Sequence, residues 1–426
     1  MQTNYQKLIS KMKTIIILGD GMADNPIEKL GGKTPLQFAK TPYMDLLAKK
    51  GRTGRLVTVP EGYMPGSEVA NTAILGYDLD KVYEGRGPLE AASIGYEMDK
   101  YDLALRCNII CVREDGTIKN HNGGNLQTED AKPLIEMLNK ELSSDKVQWV
   151  CGIQYRHLLI IKGGSKHIVC APPHDHPNED WRPLLVKPEE GKENLKEEGR
   201  MTPQETADLL NDLILRSIDV LAKAQLNIDR KAKGEDLANI IWPWSGGYRP
   251  AMQTLMEQYP QIKTGAVVSA VDLIQGIGKY AGLDIIKVPG ATGLWNTNYE
   301  GKTQAALENL KKKDFVFLHV EASDEAGHDG DIDLKVKTIE QLDSRMIGPI
   351  YEEVSKWDEP VCIAVLPDHY TPVELRVHVG EPVPFIIYYP GIEPDEVQTY
   401  DEYTCVGGGY GVLRLQEFMQ TLMAAK

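Results

Sequence analysis

Residues 14–21 read Thr-Ile-Ile-Ile-Leu-Gly-Asp-Gly. Five consecutive β-branched or apolar residues, with no polar alternation, are typical of a short parallel strand that is buried on both faces. The run stops at Gly19 and Gly21, which flank Asp20, so the sequence predicts that Asp20 lies at the carboxyl end of this strand. Ligands of open α/β sheets bind beyond those ends, and Asp20 is therefore the first candidate site residue.

Two more runs of the same kind are followed by acidic residues. Residues 315–320 precede Asp324, and residues 361–366 precede Asp368. A fourth apolar run lies at 384–389, and helical patterns lie at 45–50, 303–312 and 334–354. Strands that alternate with helices predict an α/β fold with a mostly parallel sheet, so Asp20, Asp324 and Asp368 are expected to meet at one edge of it.

The middle of the chain has a different character. It contains short mixed strands at 103–112, 149–161 and 168–171 and a helix at 208–224. A Lys- and Glu-rich stretch at 186–200 is interpreted as a solvated loop, and a Gly- and Pro-containing loop is expected at 242–247. We interpret this region as a smaller α+β domain inserted into the core. The core is expected at 1–81 and 263–426, and the insert at 82–262.

Composition excludes several classes of partner. The chain has 426 residues and a formal net charge of −15, which disfavours nucleic acid and anionic membranes but not a small anionic substrate at a metal site. No apolar run approaches the ~20 residues of a membrane span. Residues 1–13 lack the apolar segment of a secretory signal, and residues 1–11 are expected to be an extension before the first strand. The six cysteines form no C-x-x-C pair, so free thiols and a cytoplasmic location are expected, and a homo-oligomer is left open.

Carboxylate and imidazole side chains cluster in two segments near the predicted strand ends. Residues 321–331 contain Asp324 and His328 four positions apart, with Gly327 and Gly330 expected to allow a tight loop. The second segment supplies three more candidates, Asp368, His369 and His378. Mixed carboxylate and imidazole ligands suit Mn²⁺, Zn²⁺ or related ions, whereas Mg²⁺ prefers oxygen. With Asp20, these side chains are enough for two ions.

A candidate nucleophile lies in a turn ahead of a helical pattern. Residues 65–71 read Pro-Gly-Ser-Glu-Val-Ala-Asn, which places Ser67 at a helix N-terminus, where an anion such as phosphate is favoured. Metal coordination activates such a hydroxyl, so no Ser-His-Asp arrangement is needed. The sequence has no P-loop and no G-x-S-x-G elbow, and the fingerprint-like segment 276–281 lies inside a helical pattern.

Each of these features also has a simpler interpretation. An isolated Asp-x-x-x-His pair is structural more often than not, and a serine in a Gly-Ser turn is usually a turn residue or a helix cap. His319, inside an apolar strand, is interpreted as a core histidine or as a support for metal ligands rather than as a ligand. The prediction of a metal site therefore depends on the co-occurrence of the features.

Taken together, these motifs resemble the archaeal-type, cofactor-independent phosphoglycerate mutases of the alkaline phosphatase superfamily. The likeness runs from about residue 13 to the C-terminus, and its segments lie at 18–21, 65–71, 271–273 with 288–293, 324–331 and 368–369. It implies an alkaline-phosphatase-like core and an enzyme that interconverts 3- and 2-phosphoglycerate through a phosphoserine on Ser67.

The resemblance also implies two metal sites. One ion is expected at Asp324, His328 and His378, and the other at Asp20, Asp368, His369 and the Ser67 oxygen. Mn²⁺ is favoured, with Zn²⁺, Co²⁺ or Mg²⁺ as alternatives. The inserted domain is expected to hold the phosphoglycerate and to exclude water from the phosphoserine.

One segment departs from the family pattern. Mutases of this type carry an arginine-rich stretch in the inserted domain, but residues 119–126 read Lys-Asn-His-Asn-Gly-Gly-Asn-Leu. Arg156 and Arg249 remain as candidate anion clamps, and His121 and Asn71 as further substrate-binding candidates. A phosphotransferase with the same core, such as a homoserine kinase, is therefore the alternative. A metal-binding protein without turnover is the third hypothesis.

Overall fold

The computed structural model of the chain describes residues 12–424, so the extension expected at residues 1–11 lies outside the described residues. The strands, in chain order, are β1 (Lys13–Gly19), β2 (Arg52–Val57), β3 (Asp102–Val112), β4 (Ile118–Asn120), β5 (Val147–Val150), β6 (Arg156–Lys162), β7 (Ile168–Val169), β8 (Lys187–Pro188), β9 (Ile240–Gly247), β10 (Gly265–Val268), β11 (Asp284–Ile286), β12 (Phe315–Val320), β13 (Val361–Leu366), β14 (Val383–Tyr388) and β15 (Val412–Arg414).

The α-helices, in chain order, are α1 (Pro35–Phe38), α2 (Pro42–Lys50), α3 (Ser67–Ile74), α4 (Leu79–Val82), α5 (Arg86–Ser93), α6 (Thr128–Leu142), α7 (Pro203–Leu221), α8 (Gln225–Lys233), α9 (Leu255–Gln258), α10 (Asp272–Tyr280), α11 (Tyr299–Lys312), α12 (Ala322–Asp329), α13 (Ile332–Leu342), α14 (Gly348–Val354) and α15 (Glu417–Ala424). Short 3-10 turns lie at Glu28–Leu30, Arg182–Leu184 and Thr404–Gly407, and a π-helical turn lies at Asp343–Ile347.

The chain divides into two compact units. Described residues up to Tyr83 and from Ala251 onward make up the first unit, and Glu84–Pro250 make up the second. The expected insert, 82–262, therefore extends beyond the observed second boundary at Pro250. The residues that follow Pro250 belong to the first unit because they form contacts with it. One of these contacts is the hydrogen bond that the Tyr77 hydroxyl donates to Gln253 O at 2.7 Å.

The first unit is built on an eight-stranded sheet in the order β11-β10-β12-β1-β13-β14-β2-β15. β1 pairs in parallel with β12 and β13, whereas β14 is antiparallel to both of its neighbours. Leu18 of β1 is aligned with His319 of β12 and with Leu366 of β13, so these three strands reach one edge together. The prediction of an α/β fold with a mostly parallel sheet is confirmed.

The centre of this sheet is buried on both faces, as its unbroken apolar runs predict. Every residue of β1, β12 and β13 is buried. Ile15 and Ile17 of β1 pack in one apolar cluster with side chains of α2, α11 and α13. Because each buried aliphatic side chain contributes roughly 1.5–3 kcal/mol, this core fixes the strand ends firmly.

The second unit contains a five-stranded antiparallel sheet in which β3 pairs with β4, β6 and β9, and β6 pairs with β5. Leu134 and Leu138 of α6 and Leu210 and Ile214 of α7 share an apolar cluster with the strands. The helices therefore cover the sheet, which gives the α+β arrangement of a small separate domain.

The expectation of a loop at 242–247 is wrong, because these residues belong to β9. Among the described strands β9 pairs only with β3, so it is an edge strand. Pro243 has no N–H to donate, and proline is tolerated in such a strand because no second neighbour needs that hydrogen bond. A register shift between Ala104 and Arg106 of β3 accommodates the irregular end of β9. Proline and glycine thus mark an edge strand here rather than a loop.

Two expectations from composition can be set against the structure. The six cysteines are free thiols, and four of them are buried. Within residues 12–424, no helix combines the length and the apolarity that a membrane span requires.

Candidate metal centre

Asp20 follows β1 in a turn that requires glycine. Gly21 adopts a φ of +56°, and its N–H donates to Asp368 Oδ1 at 3.0 Å. A Cβ atom at position 21 would lie 2.4 Å from Asp324 Oδ1. The turn after β1 therefore lies directly against the two other acidic residues, and only the absent side chain allows three carboxylates to converge.

Asp324 and His328 lie on one face of a helix rather than in a loop. The tight loop expected at 321–331 is wrong, because this segment forms α12, which Gly330 ends at a φ of +70°. Residues four apart face the same side of a helix, and His328 Nε2 lies 3.3 Å from Asp324 Oδ2. His378 approaches from a later loop, with Nε2 3.4 Å from Asp324 Oδ1.

His328 directs its Nε2 atom at this carboxylate. Its Nδ1 donates to Arg376 O at 3.0 Å, so Nε2 of the neutral ring carries no hydrogen. That nitrogen lies 2.9 Å from His378 Nε2. Without a metal ion, the hydrogen bond with Asp324 raises the pKa of His328 to about 9, so Nε2 then carries a hydrogen whose place a bound cation would take. Asp324, His328 and His378 therefore form a group that could hold a cation.

His369 is oriented in the same way by Thr371. The Thr371 hydroxyl donates to Asp324 Oδ1 at 2.5 Å and lies 3.2 Å from His369 Nδ1. Because the hydroxyl has one hydrogen, it accepts from Nδ1–H, and His369 Nε2 carries a lone pair. This Nε2 lies 3.5 Å from Asp20 Oδ1 and 3.2 Å from Ser67 Oγ. It faces the candidate nucleophile and a buried carboxylate, as a metal ligand would.

The second group of ligand candidates, which consists of Asp20, Asp368, His369 and Ser67, contains a buried carboxylate oxygen without a hydrogen-bond partner among the described residues. Asp20 and Asp368 are fully buried, and Asp368 Oδ2 lies 3.5 Å from His369 Nε2. Burial, with the charges of Asp368 and Glu321, raises the pKa of Asp20 well above its usual range. Burial also raises the pKa of Glu321 to about 8. Oδ1 of Asp20 has no hydrogen-bond partner among the described residues. Unpaired buried carboxylates are costly, and this set of Asp and His donors fits divalent metal ions.

Ser67 is the first residue of α3, as the sequence predicts, and it is buried. Asn71, one turn later, donates from Nδ2 to Ser67 O at 2.8 Å and to Asp368 Oδ2 at 2.9 Å. Asn71 Oδ1 has no hydrogen-bond partner in the part of the chain that the structure describes. Asn71 therefore ties the first turn of α3 to a carboxylate of the second group, which places the Ser67 hydroxyl beside His369.

His319 lies against the second group. The sequence left open a core histidine or a support for ligands. Nε2 of His319 lies 2.8 Å from Asp20 Oδ2, and burial lowers the pKa of the imidazole to about 3. The side chain is thus neutral and in direct contact with a ligand candidate.

The remaining candidates lie in the second unit. His121 and Tyr155 have ring centroids 5.6 Å apart, and the Arg156 guanidinium carbon lies 5.5 Å from the Tyr155 ring centroid. Arg156 and Arg249 are both exposed. Within residues 12–424, no hydrogen bond, ion pair or ring contact joins Arg249 to His121 or Arg156. The structure groups His121 and Arg156 around one aromatic ring and leaves Arg249 outside that group.

Sequence reasoning missed a buried arginine in this unit. Arg106 of β3 forms an ion pair with Glu90 at 2.9 Å, and its guanidinium carbon lies 4.3 Å from the Trp244 ring centroid. Burial, opposed by Glu90 and assisted by Arg86 and Arg156, lowers the pKa of Arg106 to about 10. Arg86 and Arg156 thus lie close enough to Arg106 to act on its charge. A charged residue inside a buried apolar strand was the signal that could have identified Arg106.

Comparisons with known proteins agree over nearly the whole chain. A family model described as 2,3-bisphosphoglycerate-independent phosphoglycerate mutase matches residues 48–227. A Methanosarcina acetivorans protein of that name is 44% identical, over 97% of this chain and 100% of its own length. The PH0037 protein from Pyrococcus horikoshii has a similar structure, with a TM-score of 0.81 at 31% identity over 98% of both chains. A cofactor-independent phosphoglycerate mutase from Thermoplasma acidophilum gives a TM-score of 0.68 at 25% identity, over 97% of this chain and 99% of the other.

Proposed function

We propose, from the premise that the chain belongs to the 2,3-bisphosphoglycerate-independent phosphoglycerate mutase family, that it interconverts 3- and 2-phosphoglycerate at a two-metal centre through a phosphoserine on Ser67. The names of the relatives support the mutase activity. The metal ions and the phosphoserine are inferred from the side chains that converge at the edge of the first unit's sheet.

One observation carries the proposal. His328 and His369 both hold their Nδ1 hydrogens on oxygen acceptors and turn their Nε2 atoms towards buried carboxylates. This supports one ion at Asp324, His328 and His378, and a second at Asp20, Asp368, His369 and Ser67. When bound, such ions lower the pKa of a coordinated hydroxyl and offset the charge of a phosphoryl group. Mixed carboxylate and imidazole donors favour Mn²⁺, with Zn²⁺, Co²⁺ or Mg²⁺ as alternatives.

Ser67 is proposed to accept and return the phosphoryl group. Its oxygen forms a bond to phosphorus as the bond between phosphorus and the C3 oxygen of the substrate breaks, and the serine proton is transferred to the departing oxygen. The glycerate then turns, its C2 oxygen takes the phosphoryl group, and a proton returns to Ser67. The N-terminus of α3 favours the anionic phosphoryl group in both steps.

Recognition of the glycerate is assigned mainly to the second unit. Arg156 is exposed beside His121, and arginine binds carboxylate and phosphate with two parallel hydrogen bonds. Arg249 remains a candidate of the same kind. In the first unit, the unpaired Oδ1 of Asn71 is available to accept a hydrogen bond from a substrate hydroxyl.

The alternative is a phosphotransferase with the same core, such as a homoserine kinase. The segment 119–126, which has no arginine where mutases of this type carry several, is the observation that favours it. Arg86, Arg106 and Arg156 weaken this argument, because they supply cationic groups from other segments of the same unit.

The product of the reaction distinguishes the two functions. Protein loaded with Mn²⁺ is incubated with 3-phosphoglycerate and, separately, with ATP and homoserine, and each mixture is followed by phosphorus NMR. Formation of 2-phosphoglycerate is expected. ADP release that depends on homoserine, without 2-phosphoglycerate, would instead support the kinase. Activity that survives complete removal of metal ions would rule out the proposed centre.

Ser67→Ala tests the covalent route. The variant lacks the acceptor oxygen, so it is expected to lose transfer while it keeps most of its Mn²⁺ binding, and acid-quenched wild-type protein is expected to carry phosphate on the peptide that contains Ser67. Ser355→Ala, which removes an exposed hydroxyl bonded to Tyr351 O, is the matched control. Normal turnover by Ser67→Ala would refute the phosphoserine.

A further inference from the structure

His319 directs a hydrogen at Asp20, whereas His369 directs a lone pair towards the same carboxylate. It is fully buried in β12, and its Nε2 lies 2.8 Å from Asp20 Oδ2. A carboxylate that binds a metal ion is ionised and only accepts hydrogen bonds, so with Asp20 as a metal ligand Nε2 carries the hydrogen. The other ring nitrogen, Nδ1, lies 3.1 Å from Ser269 Oγ.

Ser269 fixes this tautomer from the loop between β10 and α10. Its Oγ accepts the Val271 N–H at 3.0 Å, and its carbonyl accepts from Gln275 Nε2 at 2.9 Å. The hydroxyl hydrogen is therefore available to His319 Nδ1, which accepts it. A continuous series of hydrogen bonds runs from Ser269 through His319 to Asp20.

This series gives the two oxygens of Asp20 different surroundings. Oδ2 is held by His319, while Oδ1 has no hydrogen-bond partner among residues 12–424 and lies 3.5 Å from His369 Nε2. By distance alone His319 could itself be a ligand, because single atoms of Asp20, His319 and Asp368 lie within 4.8 Å of one another. The hydrogen on His319 Nε2 argues against that arrangement.

We infer that His319 is a positioning residue, which holds Asp20 Oδ2 so that Oδ1 faces the metal, and that Ser269 acts through His319. The inference depends on the proposed metal position at Asp20. Removing a hydrogen-bond partner of a metal ligand typically weakens metal affinity ~10–100-fold. His319 thus sets the affinity of one ion without contacting substrate.

A matched pair of amide substitutions tests this role. His319→Gln places an amide N–H near the position of Nε2 and keeps the bond to Asp20, whereas the shorter side chain of His319→Asn reaches only Ser269. By competition with a fluorescent chelator, His319→Gln is expected to bind two Mn²⁺ ions with nearly wild-type affinity. In His319→Asn, one of the two ions is expected to bind ~10–100-fold more weakly.

Ser269→Ala provides an independent measurement. In the wild-type background it is expected to weaken the binding of the same Mn²⁺ ion. In the His319→Gln background it is expected to have no further effect on Mn²⁺ affinity, because the ring nitrogen that Ser269 contacts is absent. If a His319 variant does not fold, the affinity of Ser269→Ala decides. Thr338→Ala, which deletes a buried hydroxyl bonded to Lys335 O, is the control and is expected to bind both ions normally.

The remaining outcomes each contradict a different statement. Equal weakening in both amide variants, with loss of an imidazole nitrogen from the spin-echo spectrum of bound Mn²⁺, would make His319 a ligand and overturn the inference. Wild-type affinity in His319→Asn would also overturn it. The number of Mn²⁺ ions bound by Asp20→Asn tests the proposed metal position separately from the role of His319. Two ions in the wild-type protein and one in Asp20→Asn would support that position whatever the His319 variants show.

Discussion

Thr371 determines the chemistry of His369 although it is not itself a ligand candidate. Its hydroxyl accepts from His369 Nδ1–H and donates to Asp324 Oδ1, and it is fully buried. Thr371→Val keeps the shape but removes both bonds, so the orientation of His369 is no longer fixed. We expect Mn²⁺ affinity to fall ~10–100-fold, measured by chelator competition. Thr371→Ser, which keeps the hydroxyl, is the control, and unchanged affinity in Thr371→Val would contradict the tautomer assignment.

His157 in the second unit gives folding stability a pH dependence of known sign. Its Nδ1 accepts the Gly152 N–H at 3.2 Å, and burial lowers its pKa from 6.5 to about 3. Below pH ~6.5 the unfolded chain therefore binds a proton at His157 that the folded chain does not bind. The free energy of unfolding falls as the pH falls below ~6.5, and His157 has no effect on it at higher pH. At pH 5 the loss is about 2 kcal/mol.

His157→Asn keeps an acceptor for Gly152 but does not titrate in this range. Urea unfolding of metal-free protein at pH 7 and pH 5 is expected to show a pH-dependent loss of stability that is about 2 kcal/mol smaller in the variant than in the wild type. The other histidines are common to both proteins and cancel in this comparison. Identical differences between the two pH values would show that His157 is not the titrating group.

Residue types and spacing predicted which side chains to examine, but not their hydrogen positions. The spacing of Asp324 and His328 marked them as a pair, but the helix that places them on one face was not predicted. The tautomers of His328 and His369 depend on Arg376 O and on Thr371, which are distant from them or carry no motif. Such partners follow only from packing, so no pattern in the sequence could have assigned them.

At the scale of elements, α13 joins the two loops that carry ligand candidates. Lys335 is fully buried, and its Nζ donates to Asp24 Oδ2 at 2.8 Å and to Thr371 O at 2.7 Å. Asp24 lies in the loop after β1, and Thr371 in the loop after β13. One buried cation therefore holds the Asp20 loop and the His369 loop together.

Lys335→Met is expected to destabilise the first unit strongly, because it leaves the Asp24 carboxylate buried without its cation. Removing one partner of a buried pair typically costs about 3–5 kcal/mol, which urea unfolding of metal-free protein would measure. Lys337→Met, on the same helix, is the control: Lys337 is exposed and lies over the Trp295 ring at 5.1 Å, so its loss should cost only about 0.5–1 kcal/mol. Equal losses in the two variants would contradict the linking role.

Elements with an unbroken apolar pattern could be predicted, whereas glycine and proline misled the prediction at α12 and β9. β1, β12 and β13 were recognisable because both of their faces are buried. α12 was mistaken for a loop because of Gly327, yet a Cβ there would lie 2.4 Å from Thr371 O. That glycine serves close approach of the helix to the His369 loop. Pro243 misled in the same way, since it lies in β9, which pairs with β3 alone among the described strands.

At the scale of the whole molecule, the proposed ligands come from widely separated parts of the chain. They extend from Asp20 to His378 and all belong to the first unit, which the second unit interrupts between Tyr83 and Ala251. A chain with a net charge of −15 thus buries several carboxylates at one sheet edge. Cations bound there would offset this charge and stabilise the folded first unit over the unfolded chain.

Metal binding is therefore expected to stabilise one unit selectively. An ion present at 100 times its dissociation constant adds about 2.7 kcal/mol to the stability of the state that binds it. Hydrogen exchange, compared with Mn²⁺ and with chelator, is expected to show stronger protection by Mn²⁺ in β1, β12, β13 and α12. The amides of β3 and β6 serve as the internal control, because none of the proposed metal ligands lies in the second unit. Protection that rises equally in both sheets, or in neither, would contradict a metal centre confined to the strand ends of the first unit.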